Sequence, residues 1–312
     1  MSNTHIIKNK FVVLIAGPTA VGKSHVAMHL ARHLDAEIFS ADSRQIFKEM
    51  EIGTAKPSKE EMASVKHHFV NHISIEENYS VGRYESEIKQ ALESYFVDHD
   101  IAIVCGGTGL YIKALTDGID YFPDIPLQIV KDYDAKLENE GLGALLAELE
   151  ALDPKYYAIV DKHNSRRIIR ALSVIKVSGT SYTAFLMQES KQKSPYNFIP
   201  ILLELPRDIL YDRINQRVDV MVEHGLEAEA RQLYTKRDLR ALDTVGYREF
   251  FDYFEQKTNY QETINMIKQN SRRYAKRQMT WFRKYGDWTI FTPNDLDAMK
   301  QFILEKQQYN DI

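Results

Sequence analysis

The sequence predicts an α/β protein in which helices flank a parallel sheet and an all-helical insertion interrupts the sheet. Short apolar runs rich in β-branched residues recur in the first third of the chain, and amphipathic stretches of helical period separate them. After a long leucine- and alanine-rich stretch without a strand pattern, two further strand-like runs follow. Strands that alternate with helices are typical of parallel sheets. The predicted strands span 11–16, 37–41, 68–73, 101–105, 198–205 and 288–291.

The insertion divides the chain into two predicted domains. Residues 124–188 read as a purely helical domain whose entry is marked by Pro123 and Pro126, and it would be a lid or a grip for a large substrate. Residues 1–123 and 189–312 would form the α/β core, whose C-terminal region is mostly helical between 209 and 285.

Length and composition bound the class of protein. With 312 residues, of which 44% are hydrophobic and 27% charged, the chain can bury a substantial core. No segment approaches the ~20 consecutive apolar residues of a membrane helix, so we expect no membrane contact. The polar N-terminus differs from a signal peptide, and a single cysteine, Cys105, fits a reducing compartment. We therefore expect a cytoplasmic protein that is monomeric.

The charge is distributed unevenly, although the net charge of −4 gives no global sign of nucleic-acid binding. No acidic residue lies between Glu262 and Asp287. The basic residues there include Arg272, Arg273, Lys276, Arg277, Arg283 and Lys284, among the aromatic residues Tyr274, Trp281, Phe282 and Tyr285. Basic and aromatic side chains together are typical of single-stranded RNA surfaces. The alternative is a solvated helix face with its aromatic side chains in the core.

The strongest motif follows the first predicted strand and precedes a helical run. It matches the Walker A pattern and consists of Gly17, Pro18, Thr19, Ala20, Val21, Gly22, Lys23 and Ser24. Glycines allow backbone N–H groups to surround phosphate oxygens, the lysine adds a charge, and the terminal hydroxyl can bind Mg²⁺. The motif predicts a P-loop NTPase-like core that binds a diphosphate. A motor, a small-molecule kinase and a prenyl transferase all remain compatible with it.

Two further segments end at the same predicted sheet edge. Asp42 follows the second strand, where it would serve as a Mg²⁺-coordinating acid, as a general base, or as a helix N-cap. Thr108 lies in the glycine turn 106–109 after the fourth strand, where its hydroxyl can reach a phosphate. The sequence therefore predicts that a carboxylate and a second hydroxyl lie beside the Walker A motif, residues 17–24, which forms the predicted phosphate loop.

Six motifs in order along the chain resemble the tRNA dimethylallyltransferase family, the bacterial isopentenyl transferases that act on tRNA. They are GPTAVGKS, ADSRQIFKEMEIGTAKP, GGTGLYIKAL, RRIIRALSV, RINQRVDVM and YAKRQMTWFRK. The resemblance spans residues 17 to 284 and implies transfer of a dimethylallyl group from dimethylallyl diphosphate to tRNA. The acceptor would be the exocyclic amine of the adenine 3′ of the anticodon, in tRNAs that read codons beginning with U.

The resemblance also implies roles for individual residues. Asp42 would be the base for the amine, and Lys23, Thr108 and Arg217 would contact the diphosphate, with Mg²⁺ as the cofactor. The implied contacts to the tRNA anticodon stem-loop come from Asp42, Ser43, Arg44 and Gln45, and from Arg166, Arg167, Ile168, Ile169 and Arg170. The sequence departs from many relatives at Ser24, which replaces threonine, and at Phe47, which replaces tyrosine.

Three other functions stay open at this stage. A small-molecule kinase would use the same loop for ATP and the insertion as a lid. An adenylate isopentenyltransferase would act on free nucleotide, although the basic C-terminal region favours an RNA substrate. A nonenzymatic RNA-binding protein would use the loop only as a nucleotide switch.

Overall fold

The fold is built on a six-stranded sheet in which every pairing is parallel, which confirms the predicted class. The computed structural model describes residues 9–120, 122–187 and 194–309. The strand order is β3-β2-β4-β1-β5-β6. The strands are β1 (Phe11–Ala16), β2 (Ile38–Ser40), β3 (His67–His68), β4 (Ile101–Gly106), β5 (Asn197–Leu203) and β6 (Thr289–Phe291).

Helices connect the strands and form the whole regular structure of the insertion in the described ranges. In chain order they are α1 (Lys23–Leu34), α2 (Lys59–Ser64), α3 (Val81–Tyr95), α4 (Gly109–Asp117), α5 (Leu127–Leu152), α6 (Pro154–Ile159), α7 (Ser165–Ser178), α8 (Tyr182–Leu186), α9 (Arg207–Glu223), α10 (Leu226–Leu233), α11 (Tyr247–Phe254), α12 (Tyr260–Lys284) and α13 (Leu296–Tyr309). Short 3₁₀ turns lie at Tyr234–Lys236 and Arg240–Leu242. None of the described helices combines the length and apolar composition that crossing a bilayer requires.

The third predicted strand was wrong in length. The sequence predicted a strand over 68–73, but only His67–His68 pairs with β2. Phe69 and Asn71 have φ angles of 61° and 53°, which interrupt the extended backbone. Ile73 returns to extended pairing through one isolated parallel bridge to Phe47.

The larger compact unit comprises residues 1–116 and 193–312. Its central strand β1 is buried on both faces: Val12 and Leu14 belong to one hydrophobic cluster, and Val13 and Ile15 belong to the other. Successive strand side chains point to opposite faces, so a continuous apolar run fits a sheet covered by helices on both sides. The sheet therefore fixes the position of the loops that leave its carboxyl edge.

The second compact unit comprises residues 117–192. The predicted insertion covered 124–188, so the unit begins seven residues earlier and ends four residues later. Its described part contains α5 to α8 and has its own apolar core, centred on side chains of α5 and α7 such as Leu145, Leu149 and Leu172. α5 is interrupted at Gly141, which has a φ of 79°.

Candidate active site

The phosphate loop leaves β1 at the carboxyl edge of the sheet and leads into α1. Gly22 caps the helix with a φ of 110°, a left-handed conformation that favours glycine. Lys23 and Ser24 occupy the first turn of α1, and the hydroxyl-bearing Ser24 is exposed. The Lys23 ammonium donates a hydrogen bond of 2.8 Å to the Pro18 carbonyl oxygen. The loop thus places a cation and the free N–H groups of a helix start together, as anion binding requires.

Two cations of this loop region are held in a desolvated setting. Burial lowers the pKa of Lys23 to about 8, and the negative charge of Asp42 opposes this shift. Arg217 reaches the loop from α9 and donates a hydrogen bond of 3.0 Å to the Thr19 hydroxyl. Burial also lowers the pKa of Arg217, again opposed by the Asp42 carboxylate. Lys23 and Arg217 therefore lie where the charge of Asp42 acts on both.

Asp42 lies in a tight turn after β2, and one of its carboxylate oxygens shapes that turn. The backbone N–H groups of Arg44 and Gln45 donate to Oδ1 at 2.9 and 3.3 Å. Asp42 thus accepts its own following N–H groups, in the local pattern that is common for aspartate. Its Oδ2 has no hydrogen bond in the described part of the chain. One oxygen is therefore fixed by the turn, and the other accepts no hydrogen bond from the described residues.

The glycine turn 106–109 follows β4 and is hydrogen-bonded to the turn that contains Asp42. The Thr108 N–H donates to the Ala41 carbonyl oxygen at 3.1 Å, and the Ser43 N–H donates to the Thr108 hydroxyl at 3.0 Å. The Thr108 hydroxyl lies 3.3 Å from the Ser43 Oγ, to which it donates. The structure therefore brings Thr108 together with Asp42 and Ser43, and its predicted diphosphate contact stays a prediction.

Helix α12 closes the site with side chains that the sequence reasoning missed or misassigned. Gln278 is buried, and its Oε1 accepts from the Thr19 N–H at 2.9 Å while its Nε2 donates to the Gly107 carbonyl at 3.0 Å. Tyr274 lies one turn earlier, and burial followed by the Asp42 charge raises its pKa to about 12. The spacing of Tyr274, Gln278 and Trp281 by four and three residues places all three on one helix face, a signal present in the sequence.

Arg44 and Gln45 form intrachain contacts with their side chains. The Arg44 guanidinium donates to the carbonyl oxygens of Arg240, Ala241 and Asp243 at 3.3, 2.9 and 3.4 Å. The Gln45 amide donates to two carbonyls of the segment 54–55 at 3.3 and 3.1 Å. Both side chains anchor the Asp42 turn, and their predicted contacts to RNA stay predictions.

The basic run on α12 contains exposed and half-buried members. Arg273, Lys276 and Arg277 are exposed along the helix, as a surface for RNA phosphates requires. Arg272 is half-buried and donates to the Asn215 Oδ1. Phe282 is fully buried in the core, so for this residue the structure favours the alternative in which the aromatic side chains of the helix lie in the core.

The predicted RNA-contacting stretch of the insertion lies at the start of α7. Arg166, Arg167 and Arg170 are exposed, whereas Ile168 and Ile169 are 0% and 5% exposed within the core of the helical unit. The prediction that Ile168 and Ile169 contact tRNA is therefore wrong for their side chains, because they pack inward at helical spacing. The arginines keep their predicted role as a prediction.

Comparisons with known proteins agree with this geometry. The profile of the IPP transferase family matches residues 45–285. A tRNA dimethylallyltransferase of Christiangramia forsetii is 47% identical over 288 residues, which are 92% of this chain and 95% of the relative. One of Cytophaga hutchinsonii is 43% identical over 300 residues, which are 96% and 98% of the two chains.

Solved structures have the same fold. The tRNA isopentenylpyrophosphate transferase of Bacillus halodurans matches with a TM-score of 0.72 and 36% identity, over 97% of this chain and 98% of the other. A eukaryotic dimethylallyltransferase acting on tRNA matches with a TM-score of 0.76 and 27% identity, over 95% of this chain and 77% of the other.

Proposed function

The chain belongs to the IPP transferase family, and from this premise we propose that it transfers a dimethylallyl group from dimethylallyl diphosphate to tRNA. The acceptor is the exocyclic amine of the adenine immediately 3′ of the anticodon, in tRNAs that read codons beginning with U. One observation carries the proposal: the Asp42 carboxylate, whose Oδ2 has no hydrogen bond in the described ranges, lies close enough to Lys23 and Arg217 for its charge to raise the pKa of both.

Asp42 serves as the general base of this reaction. The lone pair of an adenine amine is delocalised into the ring, so its attack on carbon must be accompanied by loss of a proton. As the nitrogen–carbon bond forms, the allylic carbon–oxygen bond breaks, the diphosphate leaves with the bonding pair, and Asp42 accepts the proton. The Oδ2 atom suits this role, because Oδ1 already accepts two backbone N–H groups.

The leaving diphosphate is stabilised by the loop and its cations. Lys23, Arg217 and the helix start supply positive charge where negative charge develops on the leaving oxygens, and Thr108 supplies a hydroxyl. Mg²⁺ fits this site, because it binds proteins through few oxygens and takes its other ligands from phosphates and water. Ser24 would hold it, and the bound ion would neutralise charge on the diphosphate. In the described ranges, no cluster of three or more His, Cys, Asp or Glu side chains offers a rival metal site.

The RNA is bound by exposed basic side chains. The target adenine must leave its stack, which costs a few kcal/mol and is least costly in a single-stranded loop. Arg273, Lys276 and Arg277 on α12 are exposed and suit contacts to anticodon-loop phosphates.

We place the protein in the cytoplasm, where its substrate is found. We propose that it is a monomer, because one chain supplies the phosphate loop, the base and the α12 contacts.

An assay with purified protein tests acceptor and donor together. The protein is incubated with Mg²⁺, a radiolabelled dimethylallyl diphosphate and an anticodon stem-loop that carries the target adenine. We expect label in the RNA for the wild type. For Asp42→Asn we expect a rate about 100- to 10,000-fold lower, the usual contribution of a general base. Binding of the stem-loop should persist in this variant.

A matched control and alternative acceptors complete the design. Asp98→Asn changes an exposed aspartate and should leave the rate unaltered. Label in free adenosine monophosphate but not in RNA would support an adenylate isopentenyltransferase instead. ATP-dependent phosphorylation without prenyl transfer would support a kinase, and RNA binding without either reaction would support a nonenzymatic protein.

A further inference from the structure

The turn that contains Asp42 is held from a distance through Gln45. The Gln45 N–H is one of the two donors to the Asp42 carboxylate, and its side-chain amide donates to the Thr54 and Ala55 carbonyls at 3.3 and 3.1 Å. The position of the carboxylate is therefore tied to the position of the segment 51–55. A residue that fixes the position of the segment 51–55 therefore also fixes the position of the Asp42 carboxylate.

A single carboxylate from α10 holds the segment 51–55. Glu229 Oε2 accepts from the N–H groups of Glu51 and Ile52 at 2.9 and 2.7 Å. Its Oε1 accepts from the Gly53 N–H at 3.0 Å and from the Tyr247 hydroxyl at 2.6 Å. Three consecutive backbone donors and one phenol thus converge on one side chain, which is more than 170 residues away from the backbone donors along the chain.

We call the four hydrogen bonds to the Glu229 carboxylate the Glu229 clamp, and the side chains around this clamp are closely packed. Tyr247 is 0% exposed, and a Cβ atom on Gly53 would lie 2.6 Å from its ring and hydroxyl, so only glycine allows this approach. Burial, followed by the charge of Glu229, raises the pKa of Tyr247 well above its ordinary value, which keeps the phenol a donor. The carboxylate is required, because four donors meet there and only an ionised acid offers acceptors on both oxygens.

We propose that Glu229 is a positioning residue for Asp42. It fixes the segment 51–55, that segment fixes Gln45, and the Gln45 N–H orients the carboxylate that takes the proton. Arg44 is the second anchor of the same turn, through its bonds to the carbonyls of 240–243. The inference rests on the proposed role of Asp42 as general base, and it assigns no contact with substrate to Glu229.

Glu229→Gln tests the inference with almost no change in volume. An NH₂ group in place of Oε2 leaves the Glu51 and Ile52 N–H groups without an acceptor. In place of Oε1 it leaves the Gly53 N–H without one, while the Tyr247 hydroxyl can turn to accept from the amide, so one or two of the four bonds are lost. We expect a single-turnover rate about 10- to 100-fold lower, the effect of a small displacement of a reacting group. The KM for dimethylallyl diphosphate should be unchanged, because the phosphate loop is not part of the clamp. Glu227→Gln is the control, since the Glu227 carboxylate pairs with Arg231 within α10 and has no bond to the segment 51–55 among the described residues.

A double-mutant cycle distinguishes positioning from mere stability. If Glu229 acts through Asp42, then Glu229→Gln costs little additional rate in the Asp42→Asn background. The inference is overturned if the two losses multiply in full, or if Glu229→Gln alone equals the wild type while Asp42→Asn is impaired. An Asp42→Asn enzyme as fast as the wild type would instead refute the role of Asp42 and this inference with it. If Glu229→Gln does not fold, the same cycle with Tyr247→Phe, which removes one donor, decides with a smaller expected loss.

Discussion

We expect that Lys23→Met stabilises the ligand-free protein, because burial disfavours the charged form of this lysine. Burial lowers the pKa of Lys23 from 10.5 to about 8. This difference corresponds to about 3 kcal/mol by which the charged form is disfavoured in the folded state near pH 7. Methionine has a similar length and carries no charge to desolvate. Its loss of the bond to the Pro18 carbonyl offsets about 1 kcal/mol, so we expect a net gain of about 2 kcal/mol.

The pH dependence of this gain has a definite sign. Between the folded value of about 8 and the unfolded value of 10.5, the unfolded chain binds more protons at Lys23 than the folded protein does. The wild type therefore gains stability as pH rises through this window, and the penalty is fully present only below it. At pH 10 the penalty has fallen to about 1 kcal/mol, so the advantage of Lys23→Met should nearly vanish.

Thermal unfolding of the ligand-free protein at pH 7 and pH 10 measures both effects. We expect the variant to unfold several degrees higher than the wild type at pH 7, and to bind inorganic pyrophosphate more weakly in calorimetry. Lys59→Met, which changes an exposed lysine, is the control and should shift stability by less than about 0.5 kcal/mol. The reasoning is refuted if Lys23→Met is less stable than the wild type at pH 7, or if its advantage grows towards pH 10.

Two further predictions concern α12. Gln278→Leu leaves the Thr19 N–H and a carbonyl of the second glycine turn without their partner, so we expect about 2 kcal/mol lower stability in urea unfolding and weaker pyrophosphate binding. Gln269→Leu, an exposed glutamine of the same helix, should show neither effect. Replacing Arg273 and Lys276 by glutamine should flatten the plot of log binding constant against log salt by about 0.7 to 0.9 per lost phosphate contact. An unchanged slope in filter binding with the stem-loop would exclude these side chains as phosphate contacts.

The loops at the carboxyl edge of the sheet were predictable, because each is identified by the strand that directly precedes it in the sequence. A Walker A loop between a strand and a helix, a carboxylate after the next strand and a glycine turn after another all lie at one edge of the sheet when the strands are parallel. The strand order β2-β4-β1 then makes the three loops neighbours. The register joins Ala16 to Gly106 and Ser40 to Cys105, so the three loops leave the sheet side by side. The apolar runs identify the strands, and with them the loops that follow, without knowledge of distant residues.

The contacts of Gln278 and Glu229 with the loops of the site were not predictable in the same way. Gln278 meets Thr19 across 259 positions, and Glu229 meets the segment 51–53 across more than 170. Contacts of this kind are set by how helices pack on the sheet, which a single sequence does not encode in any local period. The error at Ile168 and Ile169 has a different cause, because the helical period of this basic stretch already indicates one buried face, and a contact assigned to every residue of the stretch ignores that period.

In the proposed reaction, proton transfer and departure of the diphosphate are electrostatically coupled. The negative charge of Asp42 favours the charged forms of Lys23 and Arg217 in the ligand-free site. When Asp42 accepts the amine proton, this charge is neutralised while negative charge develops on the leaving oxygens. The two cations then exchange one anionic partner for another, and the site keeps a balanced charge throughout the step. A base placed beyond the reach of these cations would lack this compensation, which gives a physical reason for the carboxylate to lie beside the phosphate loop.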